Sequence, residues 1–161
     1  MRNLFLCAIP FFAIIGTAVA DEPSAAPMHS FVNPMDVKWG APPPVLEKSA
    51  KFAVLSGDPS KAGIFVARLK VPAGYKVKPH WHSNDEHVTV ISGTFALGMG
   101  EKFDKAAMTT LPTGSYALLP ADMRHYAMAK TAAVVQIESM GPFTLTYVDP
   151  NDDPSKRSHE K

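Results

Sequence analysis

Residues 74–93 read GYKVKPHWHSNDEHVTVISG, and the fold turns on how that stretch is taken. Its apolar and polar residues alternate as in a strand, yet His80, His82, Glu86 and His87 fall within eight positions. Strand side chains switch faces with a period of two. His80 and His82 therefore share a face, and Glu86 lies an even number of positions further on. Val88 and Val90 continue the face of Glu86 and read as buried. Three groups that are costly to desolvate are thus predicted on one half-buried face, which demands a partner for them.

The chain has 161 residues, enough for one domain with a sizeable core and too few for two. It opens with MRNLFLCAIPFFAIIGTAVA: one basic residue, an apolar run, then Ala18-Val19-Ala20 ahead of Asp21-Glu22. That layout predicts a secretory signal peptide over residues 1–20, cleaved after Ala20, and export to the periplasm or beyond. Cys7 lies inside the apolar run and is the single cysteine, so the mature chain has no disulfide framework. Removing Arg2 from the 16 basic residues leaves 15 against 15 acidic ones. A net charge near zero gives no reason to expect nucleic acid or a membrane surface as partner.

Residues 21–49 are rich in Pro, Ala and Ser and include Pro42-Pro43-Pro44. Proline has no N–H to give a central ladder, so an irregular surface arm is expected, anchored by Phe31, Val37 and Trp39. Residues 149–161, DPNDDPSKRSHEK, have almost no apolar content and predict a disordered polar tail. Between arm and tail, residues 50–148 carry short runs divided by turn signals: KFAVLS, IFVARLKV, EHVTVIS, TFALGM, SYALL, RHYAMA, AAVVQIES and FTLTYV. Such runs predict an all-β sandwich or barrel. Only EKFDKAAM, residues 101–108, suggests a helical turn, as an excursion between strands.

Gly74, five residues, His80-Trp81-His82, three residues, Glu86, six residues and Gly93 together resemble the first motif of the cupin superfamily. After 20 further residues come Gly114, five residues, Pro120-Ala121-Asp122, two residues and His125, which resemble the second. Asp122 stands where that motif usually has Gly, and Ala129 where it has Asn; neither position supplies a ligand in the family. The resemblance implies a single jelly-roll β-barrel over residues 50–148, with His80, His82, Glu86 and His125 as ligands of one divalent metal. Imidazole nitrogens with one carboxylate suit a first-row divalent ion. A bound metal also answers the desolvation problem of the opening stretch.

His87 is the alternative ligand, reached by a one-residue slip in the Ser83-Asn84-Asp85 turn. The six-residue spacing to Gly93 favours Glu86 and turns His87 outward, or into a supporting contact with a ligand. Trp81 should face away from the metal and pack into the core or an interface. Tyr116, Met123, Gln136 and Glu138 are weaker candidates for lining the pocket. Arg68, Lys70, Lys76 and Lys78 read either as a cationic rim or as the wet face of the sheet.

By resemblance, function is a metal-dependent cupin enzyme with oxidative or carboxylate chemistry on a small molecule, of the dioxygenase type. The competing reading is a non-catalytic metal- or ligand-binding and sensing module. Structural cupins without metal form a third class and usually lack the intact ligand set. The family leans to Mn or Fe, whereas metal acquisition after export favours Cu or Zn by the affinity order. The metal stays open among the four. The resemblance also suggests a homodimer.

Overall fold

The computed structural model describes residues 29–157. The leader, its cleavage site and His159 lie outside the described residues. Among those described, ten strands follow in order: β1 (Lys51–Ser56), β2 (Gly63–Val71), β3 (Lys76–His82), β4 (Glu86–Ser92), β5 (Thr94–Met99), β6 (Thr109–Pro112), β7 (Tyr116–Leu119), β8 (His125–Ala129), β9 (Ala133–Gly141) and β10 (Leu145–Tyr147). They form two five-stranded antiparallel sheets, ordered β1-β2-β9-β4-β7 and β10-β3-β8-β5-β6. This is the all-β jelly roll that the two motifs imply. Residues 101–108 form an excursion with one 3-10 turn, Lys105–Ala107, which Asp104 caps by accepting the Ala106 N–H at 2.8 Å.

The core lies between the sheets. Leu69 and Val71 of β2, Val88 and Val90 of β4, Phe95 and Leu97 of β5, and Val135 of β9 pack there. Each such side chain contributes about 1.5–3 kcal/mol by leaving water. Strand alternation delivers these residues to one face, and in β4 that face begins with Glu86.

β3 departs from simple alternation. Val77 pairs with Ala127 of β8 and His80 with His125, so Lys78 and Pro79 stand opposite Tyr126 alone. Two residues against one is a β-bulge, and Pro79, which has no N–H for the ladder, sits in it. The bulge lets Val77 and His80 both point inward although they are three positions apart. Trp81 consequently faces outward. It is half-buried rather than in the core, and the Arg124 guanidinium lies over its ring at 4.6 Å.

In the described part of the arm a 3-10 turn spans Pro34–Asp36, and the remainder is irregular up to its contact with β1. Gly40 bridges Phe52 through two backbone hydrogen bonds of 2.9 and 3.1 Å. Its buried anchors are Val37, Leu46 and Ala50. Trp39 is half-buried beneath Lys70, and Phe31 is 90 % exposed.

The tail is ordered through Arg157, contrary to the reading from composition. A 3-10 turn spans Pro150–Asp152, and a short helix α1 spans Pro154–Arg157. Local polar bonds hold it in place of apolar burial. Asp149 accepts from the Asn151 N–H and Asp153 from the Ser155 N–H, while Arg157 pairs with Glu47 of the arm. No helix among the described residues is long and apolar enough to cross a membrane.

Candidate metal centre

Three strands bring the site together. His80 and His82 end β3, Glu86 begins β4 and His125 begins β8. The turn between β3 and β4 is pinned from outside: Asp85 accepts the Ala121 N–H at 2.8 Å, and its carbonyl accepts the Ser139 hydroxyl at 2.6 Å. The Asp122 N–H donates to the His82 carbonyl at 2.9 Å.

All four side chains are buried, with His80, His82, Glu86 and His125 at 3, 5, 6 and 2 % exposure. The three imidazoles each offer a nitrogen within 4.8 Å of the others. Each ring also has its Nδ1 on a backbone carbonyl: His80 on Lys78 at 2.6 Å, His82 on Thr144 at 2.7 Å, and His125 on Met123 at 2.9 Å. A carbonyl can only accept, so Nδ1 carries the proton, and a neutral ring then presents a bare lone pair at Nε2. Three rings oriented in this way are what a metal-binding histidine requires of its surroundings.

The Glu86 carboxylate lies beside two of them. Its Oε2 is 3.4 Å from His82 Nε2 and 3.5 Å from His125 Nε2. These separations are near the roughly 3.0–3.4 Å expected between two atoms that share one ion at about 2.0–2.2 Å. With neutral rings, both contacts set acceptor against acceptor, and His82 Nε2 is buried without a hydrogen-bond partner. An arrangement of this kind needs a cation. Burial, reinforced by the neighbouring imidazoles of His125 and His82, pushes His80 down to about 3, so this ring stays neutral at physiological pH. Burial works to raise the Glu86 carboxyl, and only positive charge at its neighbours His82 and His125 outweighs it and holds the group ionised, well below its ordinary value. Three imidazole nitrogens and one carboxylate oxygen fit a divalent metal.

The four groups open onto a cavity of about 140 Å³ between the sheets. Phe143 forms part of its wall and lies flat on the His82 ring, and Phe65 tilts against Phe143 at 5.3 Å between centroids. Neither the Phe143 contact nor the three orienting carbonyls of Lys78, Met123 and Thr144 is visible in a motif. Phe143 reads only as a member of the strand-like run FTLTYV.

His87 lies on the opposite face of β4, with its Nδ1 2.6 Å from the Tyr116 hydroxyl. It is separate from the buried cluster. The pocket candidates Tyr116, Met123, Gln136 and Glu138 do not line the cavity. Tyr116 and Met123 are 58 and 40 % exposed. Gln136 donates to Glu138 at 2.8 Å and accepts from Arg68 at 3.1 Å on the outer face of β9. Alternation explains the error, because the inward residues of that strand are Val135 and Ile137. Lys76 and Lys78 sit over the Phe103 ring, also outside.

A family model described as a domain of unknown function (DUF4437) matches residues 18–146. No curated protein matches the chain. Among solved structures, the polyketide cyclase RemF from Streptomyces resistomycificus is similar at 16 % identity and a TM-score of 0.66, over 82 % of this chain and 94 % of that one. A putative acetylacetone dioxygenase from Methylibium petroleiphilum is similar at 21 % identity and a TM-score of 0.60, over 81 and 88 %. An RmlC-like cupin from Shewanella frigidimarina is similar at 13 % identity and a TM-score of 0.54, over 70 and 91 %. At these identities the likeness is one of fold.

Proposed function

We propose that this chain, which belongs to the DUF4437 family and has the cupin jelly-roll fold, is a metal-dependent enzyme that carries out oxidative chemistry on a small molecule. The observation that carries the reading is the cluster of His80, His82 and His125, with Glu86 beside the latter two, each Nδ1 engaged and His82 Nε2 left without a hydrogen-bond partner. His80, His82, Glu86 and His125 hold the ion. A divalent metal there supplies Lewis acidity and, if it is Mn, Fe or Cu, one-electron chemistry with O₂.

The protein's own groups have limited roles. The three carbonyls fix the rings, Glu86 cancels one positive charge, and the hydrocarbon wall excludes water. Four protein donors on an ion that takes five or six leave one or two positions for substrate or co-substrate. Among the described residues, no titratable side chain other than these four lines the cavity, so proton transfer by a separate acid or base has no candidate. Oxidative chemistry does not require one. The likeness to a protein described as a putative acetylacetone dioxygenase supports the same choice.

The lack of an acid or base also favours a second reading, a binding or sensing module without turnover. Metal analysis of protein recovered from its native compartment, followed by O₂ consumption with small-molecule panels, separates the two. A metal-free protein sinks both. A metalloprotein that binds a ligand without consuming O₂ supports the module. The leader adds export to the reading, and an intact mass beginning at Asp21 is the expected result for exported protein.

A further inference from the structure

Apart from the four candidate ligands, every side chain on the cavity wall is a hydrocarbon. No lysine, arginine, hydroxyl or amide side chain among the described residues reaches it. The wall is drawn from the arm (Leu46), β2 (Phe65, Leu69), β9 (Ile137), the segment leading to β10 (Phe143) and β10 itself (Leu145). At about 140 Å³ the cavity is also smaller than the roughly 300–1,000 Å³ that takes drug-sized ligands.

Charge places a second limit. A divalent ion held by three neutral imidazoles and the Glu86 carboxylate keeps one net positive charge. A single anionic oxygen-donor head at the ion cancels it. A further charge or hydroxyl elsewhere on the ligand would lose water and find only hydrocarbon, a penalty worth roughly 10- to 100-fold in affinity.

We infer that the substrate of this centre is a small molecule with one oxygen-donor end and an apolar remainder, because among the described residues the only polar side chains lining the cavity are the four clustered candidate ligands, and the rest of its wall is hydrocarbon. This rests on the metal-centre reading above. It excludes sugars, dicarboxylates, amino acids and phosphorylated compounds as substrates.

The test uses Zn²⁺-loaded wild-type protein and four hydroxamates, whose common head is a monoanionic oxygen chelator. Acetohydroxamate carries the head alone, and pentanohydroxamate adds an apolar tail. In 4-hydroxybutanohydroxamate a hydroxyl replaces the terminal methyl, and the monohydroxamate of succinic acid ends in a carboxylate. Calorimetry gives each Kd with Zn²⁺ bound and after its removal. Pentanohydroxamate should bind at least about tenfold tighter than acetohydroxamate, since each buried methylene is worth about fourfold. The hydroxyl and carboxylate tails should each bind at least about tenfold more weakly than the apolar one. Equal affinities, or a preference for a polar tail, would overturn the inference while leaving the metal centre standing, provided acetohydroxamate binding still needs Zn²⁺. If the protein takes up no Zn²⁺, or binds the head equally well without it, the metal-centre reading fails and the inference with it.

Discussion

The Phe143 ring lies flat on the His82 imidazole, with centroids 4.4 Å apart and planes 16° from parallel. The next residue, Thr144, accepts the Nδ1–H of the same ring at 2.7 Å. One short segment therefore fixes both the plane and the tautomer of a candidate ligand while forming part of the cavity wall. Phe143→Ala should lower metal affinity by about 10-fold, the lower end of the range for residues that orient a ligand. It should also cost about 2 kcal/mol in stability from lost burial. Phe143→Leu should restore most of the stability and little of the affinity. Chemical denaturation and metal titration on both variants check this; full affinity in Phe143→Ala would show that Thr144 alone positions the ring.

The metal-free protein should lose stability on mild acidification. His80 faces His82, His125, Glu86 and, across 6.1 Å, Tyr147, and it stays neutral in the fold down to about pH 3 against 6.5 for the free side chain. Between those values the unfolded chain binds a proton that the folded chain does not. Stability is therefore complete above about pH 6.5 and falls as the pH drops toward 3. The slope from this one group approaches about 1.4 kcal/mol per pH unit. Glu86 acts in the same direction below its ordinary value of 4.5, because its folded carboxylate resists protonation. Urea midpoints from pH 8 to pH 4 in the presence of a chelator, for wild type and His80→Phe, measure this. A variant with the same acid loss as wild type would remove His80 as its source.

Asp122 occupies the motif position that is usually Gly, and its φ of 61° lies in the left-handed region. Aspartate tolerates that region better than most residues, which is how the departure is accommodated. Asp122→Gly and Asp122→Asn should unfold within about 0.5 kcal/mol of wild type, whereas Asp122→Val should lose about 1–2 kcal/mol. Thermal unfolding decides it. Equal loss in all three would mean that the carboxylate, rather than the backbone conformation, is what the position needs.

The parts of the site legible in the sequence are those that depend on local period and spacing. Glu86, Val88 and Val90 share a face because strand side chains alternate, and that face is buried. The bulge at Lys78-Pro79 was hidden, since strict alternation puts Val77 and Trp81 on one face and both histidines on the other. Phe143 and the Thr144 carbonyl are hidden for a different reason: they reach the site from the segment just before β10, which pairs with β3 across a long stretch of chain. Strand β6, TTLP, was missed because it has no apolar alternation and forms only as a partner of β5. Composition reports burial and is blind to Asp side chains that accept from the backbone two residues on, which is what orders the tail.

The ligand assignment itself turns on two neighbours facing opposite ways: Glu86 inward beside two imidazoles, and His87 outward on Tyr116. If His80, His82, Glu86 and His125 share one ion, then His80→Ala, His82→Ala and His125→Ala should each abolish stoichiometric metal binding. Each removes a coordinate bond and opens a gap beside the ion. Glu86→Gln should weaken binding strongly while nearly keeping shape, because it removes the one anionic donor from a site of neutral nitrogens. His87→Ala should change affinity little, since its ring nitrogen is engaged 2.6 Å from the Tyr116 hydroxyl on the far side of the sheet. Saturating metal should raise the wild-type melting temperature, as any ligand of the native state must, and leave the melting temperatures of the three histidine variants nearly unmoved. Metal content and melting shifts across the five variants test the whole set. Loss of metal in His87→Ala with retention in Glu86→Gln would exchange the roles of these two residues. Retention in all three histidine variants would leave the buried imidazoles without a shared ion.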